Sequence, residues 1–265
     1  MNILEKIIEH KKGEVEQAKA TVTEKQLEAG KYFSRKTFSL KQALTDDRKS
    51  GIIAEFKRKS PSKGIFNDEA KVEVVTSGFA SNGASGLSIL TDETFFAGRN
   101  EDIIRSRGLQ IPILRKDFII DEYQLTEARS IGADVILLIA ACLTPARVKE
   151  LAMFAKSLKL EVLLEIHTEE ELAHICDPVD IVGVNNRDLK TFTVDINRSI
   201  EISKQIPADK LKISESGISD VATISLLKEN GFKGFLIGET FMKEKDPSIA
   251  FARFAEKLKL AQHES

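Results

Sequence analysis

Eight short apolar runs alternate with helical patterns along most of this chain, and that alternation narrows the possible folds more than any other feature. The runs span residues 52–57, 86–90, 111–116, 134–139, 161–166, 181–185, 211–215 and 234–238. The segments between them open like helices. Thr144-Pro145 is an N-cap followed by a first-turn proline, and Asp246-Pro247 repeats the device. In "HTEEEL", Thr168 is the expected N-cap and Glu171 its capping-box partner. Strands alternating with helices imply a parallel sheet with right-handed crossovers. Eight units favour an α/β fold of the (β/α)8 TIM barrel type over a doubly wound sheet. No G-x-G-x-x-G follows the first run and no Walker lysine loop occurs.

The first fifty residues lie outside this repeat. Leu4, Ile7, Ile8 and Val15 are at helical spacing, followed less regularly by Phe33, Phe38 and Leu40. We read residues 1–50 as an N-terminal extension packed on the barrel, and 1–265 as a single barrel domain without a linker. Basic and acidic residues nearly balance, 39 against 41, which argues against a wide nucleic-acid or anionic-membrane footprint. The longest apolar run, residues 135–143, is too short to span a membrane. The N-terminus mixes both signs of charge, unlike a signal peptide. Cys142 and Cys176 stand alone and read as small reduced core residues. A soluble, cytoplasmic chain is expected.

Chemistry in such a barrel belongs at the C-terminal ends of the strands. The first run ends "AEFKRKSP", residues 54–61. Side chains alternate faces along a strand, so Ile53, Glu55 and Lys57 share one face, and charge continues an apolar row. Removing charge from water costs several kcal/mol unless the groups are paired or used. A plain internal Glu55–Lys57 ion pair would satisfy that requirement too. Corresponding ends carry Arg115-Lys116-Asp117, Glu165 with His167, Asn185 with Arg187, "SESG" and "IGET". Folding alone does not call for so many polar groups at matching ends.

The last two ends, "ESGIS" and "GFLIGETF", each place a glycine just beyond a strand. Glycine lets backbone N–H groups approach a ligand unobstructed. In barrels the loops after strands seven and eight commonly cradle phosphate, so a phosphorylated small-molecule substrate is expected. His167 and His174 have no third ligand at metal spacing, and no metal is expected; His167 reads as a supporting or capping residue. The cations at 57–63 have few exposed aromatics near them, unlike a nucleic-acid platform. Phe95, Phe96 and Phe118 fall in βα loops, positioned to flank an aromatic ligand. Lys116 as a Schiff-base nucleophile remains an alternative at this level.

"AEFKRKSPSKG", "SILTDETFFAG", "LRKDFIIDEYQL", "GADVILLIAA", "EVLLEIH", "GVNNRDL", "SESGI" and "IGETFM" occur in the order found in indole-3-glycerol phosphate synthases of tryptophan biosynthesis. The N-terminal "ILEKIIEHKKGEVEQAK" also resembles that family's additional helix. The resemblance covers nearly the whole chain, and the first, third and sixth motifs are its most specific parts. It implies decarboxylating, dehydrating ring closure of 1-(2-carboxyphenylamino)-1-deoxyribulose 5-phosphate, with no cofactor. It implies Lys116 as general acid and Glu165 as proton-abstracting base, with Lys57 neutralising the substrate carboxylate and assisting the acid step. Glu55 and Glu215 match the carboxylates that keep the lysines charged. Asn185 and Arg187 match substrate-contacting positions, and Phe118 matches an aromatic wall. Lys59 and Ser60 fall in a mobile first loop, with Lys59 expected to reach the phosphate. Ser216, Gly217, Gly238 and Glu239 occupy the cradle; some relatives have serine at the last position, so contact there is expected through backbone N–H. A monomer or weak homo-oligomer is expected.

Overall fold

The computed structural model describes residues 2–61, 63–188 and 191–263. Eight parallel strands close into a TIM barrel: β1 Ile52–Phe56, β2 Gly86–Leu90, β3 Ile113–Lys116, β4 Val135–Ile139, β5 Glu161–Ile166, β6 Ile181–Asn185, β7 Leu211–Glu215 and β8 Gly234–Ile237. β8 pairs back to β1 with Ile53 opposite Leu236. All eight predicted runs are strands. β3 starts two residues later than expected, after Pro112, which has no N–H to give a ladder. β4 starts one residue later than expected, at Val135, although the Asp134 amide still donates to the Ile113 carbonyl at 2.9 Å; the buried Asp134 carboxylate is engaged by Arg107 and Arg35 at 2.6 and 2.5 Å.

Strand parity divides the core in two. Ile53, Leu114, Leu137, Leu163, Ile213 and Leu236 fill the barrel interior. The alternate residues, such as Ile52, Ile113, Ile136 and Leu164, pack under the helices. The helix Leu40–Leu44 plugs the N-terminal end of the barrel with Leu40 and Leu44. The Glu161 carboxylate holds it there, accepting the Leu40 and Lys41 amides at 2.8 and 3.1 Å. Such a plug closes one end of the cavity and leaves chemistry to the other.

Helix α1, Ile3–Thr21, begins at an Asn2–Glu5 capping box. It buries Ile7 and Val15 as its spacing predicts, and also Lys11, which the same i,i+4 spacing puts on the buried face although its charge argues against burial. The Lys11 ammonium sits 2.9 Å from Asp92, 3.0 Å from Asp117 and 2.5 Å from Glu14. Tyr123 donates its hydroxyl to the Ala18 and Val22 carbonyls at the other end of α1. The extension is therefore bolted to the barrel by polar contacts as well as apolar ones.

Thr144 and Asp246 cap their helices as expected. The capping box at Thr168 does not form. A five-residue 3₁₀ turn, Glu170–His174, follows β5, and the Glu171 carboxylate accepts the His167 amide at 2.6 Å rather than that of Thr168. Both cysteines are free and partly buried, Cys176 packed against the core under the helices and Cys142 against the barrel interior. Among the described residues no helix is long and apolar enough to cross a membrane.

Candidate active site

A cavity of about 490 Å³ opens at the C-terminal end of the barrel. Its floor is built by strand parity. Glu55, Lys116, Glu165, Asn185 and Glu215 each extend an inward-facing row, so the same alternation that fills the core delivers charge to its open end. Lys57, one residue past β1, continues its row and pairs with Glu55 at 2.7 Å. The ion pair that the sequence allowed does form, and both of its members line the cavity.

Lys116 Nζ lies 3.2 Å from Glu165 Oε2 and 3.9 Å from Glu215 Oε2. Burial alone would lower the lysine pKa, but Glu165, Glu215 and Glu55 together push it above its ordinary value, so it is an ammonium at neutral pH. Burial raises both carboxyls as well. For Glu165 the facing Lys116 and His167 win, and its pKa falls below the usual range. Glu215 has Glu165 beside it and goes well above that range. The two carboxyls are thus pushed in opposite directions, Glu165 toward the ionised form and Glu215 toward the protonated one. Room for Glu215 comes from Gly183 on the neighbouring strand, where an added Cβ would stand 2.1 Å from Glu215 Oε1.

Beside this charged floor, the cavity wall carries Ser216, Gly217, Gly238 and Glu239, with Arg187 and Lys63. Ser216 and Gly217 are both left-handed, at φ +69° and +72°. A side chain on Gly217 would meet Val194 at 2.3 Å, so the turn requires glycine for conformation and for space. Asn186, fully buried, ties this turn to the end of β6 by donating to the Ser214 hydroxyl and the Ser216 carbonyl. Asn185 accepts the Arg187 amide through its side chain at 3.0 Å.

One expected contact is redirected. Lys59 points away from the cavity and donates to the Thr94 carbonyl at 3.3 Å. Lys59–Ser60 pairs with Gly64–Ile65 as a short antiparallel hairpin, and it is Lys63 in its turn that lines the wall. Ser60 remains in the lining, buried. The Glu239 side chain reaches Lys63 at 3.2 Å and Arg187 at 3.5 Å.

The aromatic side is formed by Phe118 and Phe96, with ring centroids 6.0 Å apart, and α1 roofs it with Ile3, Leu4 and Ile7. Phe95 instead packs edge-on against His10. Lys63, Asn186 and the α1 roof escaped sequence reasoning; only the charge of Lys63 within an already basic loop hinted at it. No cluster of three metal-ligating side chains occurs among the described residues.

The family model described as indole-3-glycerol phosphate synthase matches residues 4–254. A curated indole-3-glycerol phosphate synthase of Bacteroides thetaiotaomicron is 49% identical over 254 residues, covering 96% of this chain and 97% of its own. The Salinibacter ruber enzyme of the same name is 41% identical with both chains fully covered. Among solved structures, the tryptophan synthase alpha subunit of Legionella pneumophila superposes with a TM-score of 0.62 over 85% of this chain and 97% of its own. Its 13% identity speaks for the barrel alone.

Proposed function

The chain belongs to the indole-3-glycerol phosphate synthase family, a decarboxylating lyase of tryptophan biosynthesis, and from that premise we propose how its cavity carries out the reaction. The substrate has three unlike parts: an anthranilate ring with its carboxylate, a ketone-bearing chain, and a phosphate. The cavity has three unlike walls to receive them. Phe96, Phe118 and the α1 roof take the ring, Asn185 and the catalytic floor take the chain, and the 216–217 and 238–239 turns with Lys63 and Arg187 take the phosphate.

Ring closure joins the carboxylate-bearing aromatic carbon to the ketone carbon. The ketone oxygen gains negative charge and needs a proton, which the Lys116 ammonium supplies. Lys57 faces the substrate carboxylate until carbon dioxide leaves with its bond electrons restored to the ring. Dehydration follows. Glu165, the ionised member of the carboxylate pair, takes the proton from the carbon beside the new bond, and a lysine ammonium protonates the departing hydroxyl. Glu215 and Glu55 hold the lysines in place.

The observation that carries this reading is the buried Lys116 ammonium 3.2 Å from Glu165 and 3.9 Å from Glu215, because it sets an acid beside a carboxylate base in one contact. A Schiff-base mechanism would need that lysine neutral, and the surrounding carboxylates oppose it. We also take residues 1–265 to work as one barrel domain with 1–50 as its packed extension, in the cytoplasm, as a monomer or weak homo-oligomer. Purified protein given the carboxyphenylamino-deoxyribulose phosphate should develop indole fluorescence and release carbon dioxide in equal amounts. Substrate that persists unchanged would overturn the reading.

A further inference from the structure

Glu165 and Glu215 are almost wholly buried, 3% and 1% exposed, and two carboxyls sharing a dry site do not both ionise. Which of them keeps the proton decides which can act as a base. Lys116 favours Glu165 only slightly, at 3.2 against 3.9 Å. His167 discriminates more strongly. Its Nε2 lies 3.1 Å from Glu165 Oε1, and its Nδ1 faces Glu171 at 3.4 Å rather than Glu215. These are charge contacts rather than aligned hydrogen bonds, and the ring is held in place by its own backbone amide, which donates to Glu171.

We propose that His167, an imidazolium clamped between Glu165 and Glu171, assigns the proton of the Glu165–Glu215 pair to Glu215 and so keeps Glu165 the ionised base. It is a positioning residue, and the inference rests on Glu165 being the base of the proposed reaction. Charge balance supports it. With Lys116 and His167 positive, Glu165 and Glu171 negative and Glu215 neutral, this buried group sums to zero. Burial by itself would lower the imidazole pKa, yet the two carboxylates raise it to about 9. The groups facing Glu165 are Lys116 from β3, Glu215 from β7, Cys142 from the turn after β4, and His167. Those facing His167 are Glu165 and Glu171. Burial and the same carboxylates push the Cys142 thiol up, so it adds no charge. Beyond Lys116 stands Glu55 of β1, paired with Lys57.

The test uses the full-length chain. Nitrogen-15 NMR of the imidazole should show His167 doubly protonated at neutral pH, losing its proton only near pH 9. His167→Gln, confirmed folded by circular dichroism, should lower kcat more than it changes KM. The acid limb of its kcat profile should move up by roughly 1–3 pH units, the usual worth of one removed cation. A neutral imidazole at neutral pH overturns the proposal, as does a folded variant whose acid limb stays in place. Should the variant fail to fold, the NMR titration of the unaltered protein still decides. A wild-type chain inactive on the substrate would instead refute the proposed reaction, while the NMR arm continued to report on His167.

Discussion

Lys63 and Glu239 meet 3.2 Å apart across the cavity mouth, one from the hairpin after β1 and the other from the turn after β8. Glu239 also lies 3.5 Å from Arg187, so one carboxylate faces two cations of the wall proposed to take the phosphate. On that reading it occupies charge that a substrate phosphate would use. Glu239→Gln should therefore strengthen inhibition by inorganic phosphate. The half-inhibitory concentration should fall a few-fold, since a partly exposed pair is worth less than about 1 kcal/mol. Inhibition that is unchanged or weaker in this variant would show that Glu239 does not compete with the anion.

Lys116→Met keeps the long stem that packs in the barrel and removes the ammonium. The variant should fold, and turnover should drop by about 10²–10⁴, the usual contribution of a placed proton donor. Borohydride treatment of wild-type protein with substrate should leave its mass unaltered. A mass increase mapped to Lys116 would replace the acid with a nucleophile.

Gly183→Ala tests how the carboxylate pair is accommodated. The new methyl group would stand 2.1 Å from Glu215 Oε1 and 3.2 Å from Leu163 in a packed interior. Overpacking of this kind costs about 1–3 kcal/mol, and the side chain most able to move is Glu215. Lower stability in urea titrations should accompany a fall in kcat. Wild-type kcat would mean that Glu215 has room elsewhere.

Lys11→Met probes the bolt between α1 and the barrel. Asp92 and Asp117 are buried, and the variant removes a cation that both of them face. Stranding buried charge in this way costs about 3–5 kcal/mol. Because Asp117 adjoins Lys116 and α1 roofs the cavity, KM should rise along with the loss of stability. Denaturant midpoints and KM are the two measurements; an unshifted midpoint would make the cage dispensable.

Much of this molecule was legible in the order of its residues. Alternating runs and helical patterns specified eight βα units, and two-residue periodicity put Glu55, Lys116, Glu165, Asn185 and Glu215 at the inward ends of their strands. Those are local properties of the chain, repeated wherever a strand occurs. The destination of loop side chains is not local. Lys59 and Lys63 lie in one basic stretch, and only the hairpin geometry turns the first toward Thr94 and the second toward Glu239. Lys11 lies in line with Ile7 and Val15 on one helix face, but only Asp92 and Asp117, arriving from distant strand ends, let a lysine be buried there. Likewise two glutamates spaced fifty residues apart in sequence carry no sign of which keeps a proton. That depends on a sum of charges through space, from β3, β7 and the turn after β5, and such a sum exists only once the barrel has closed.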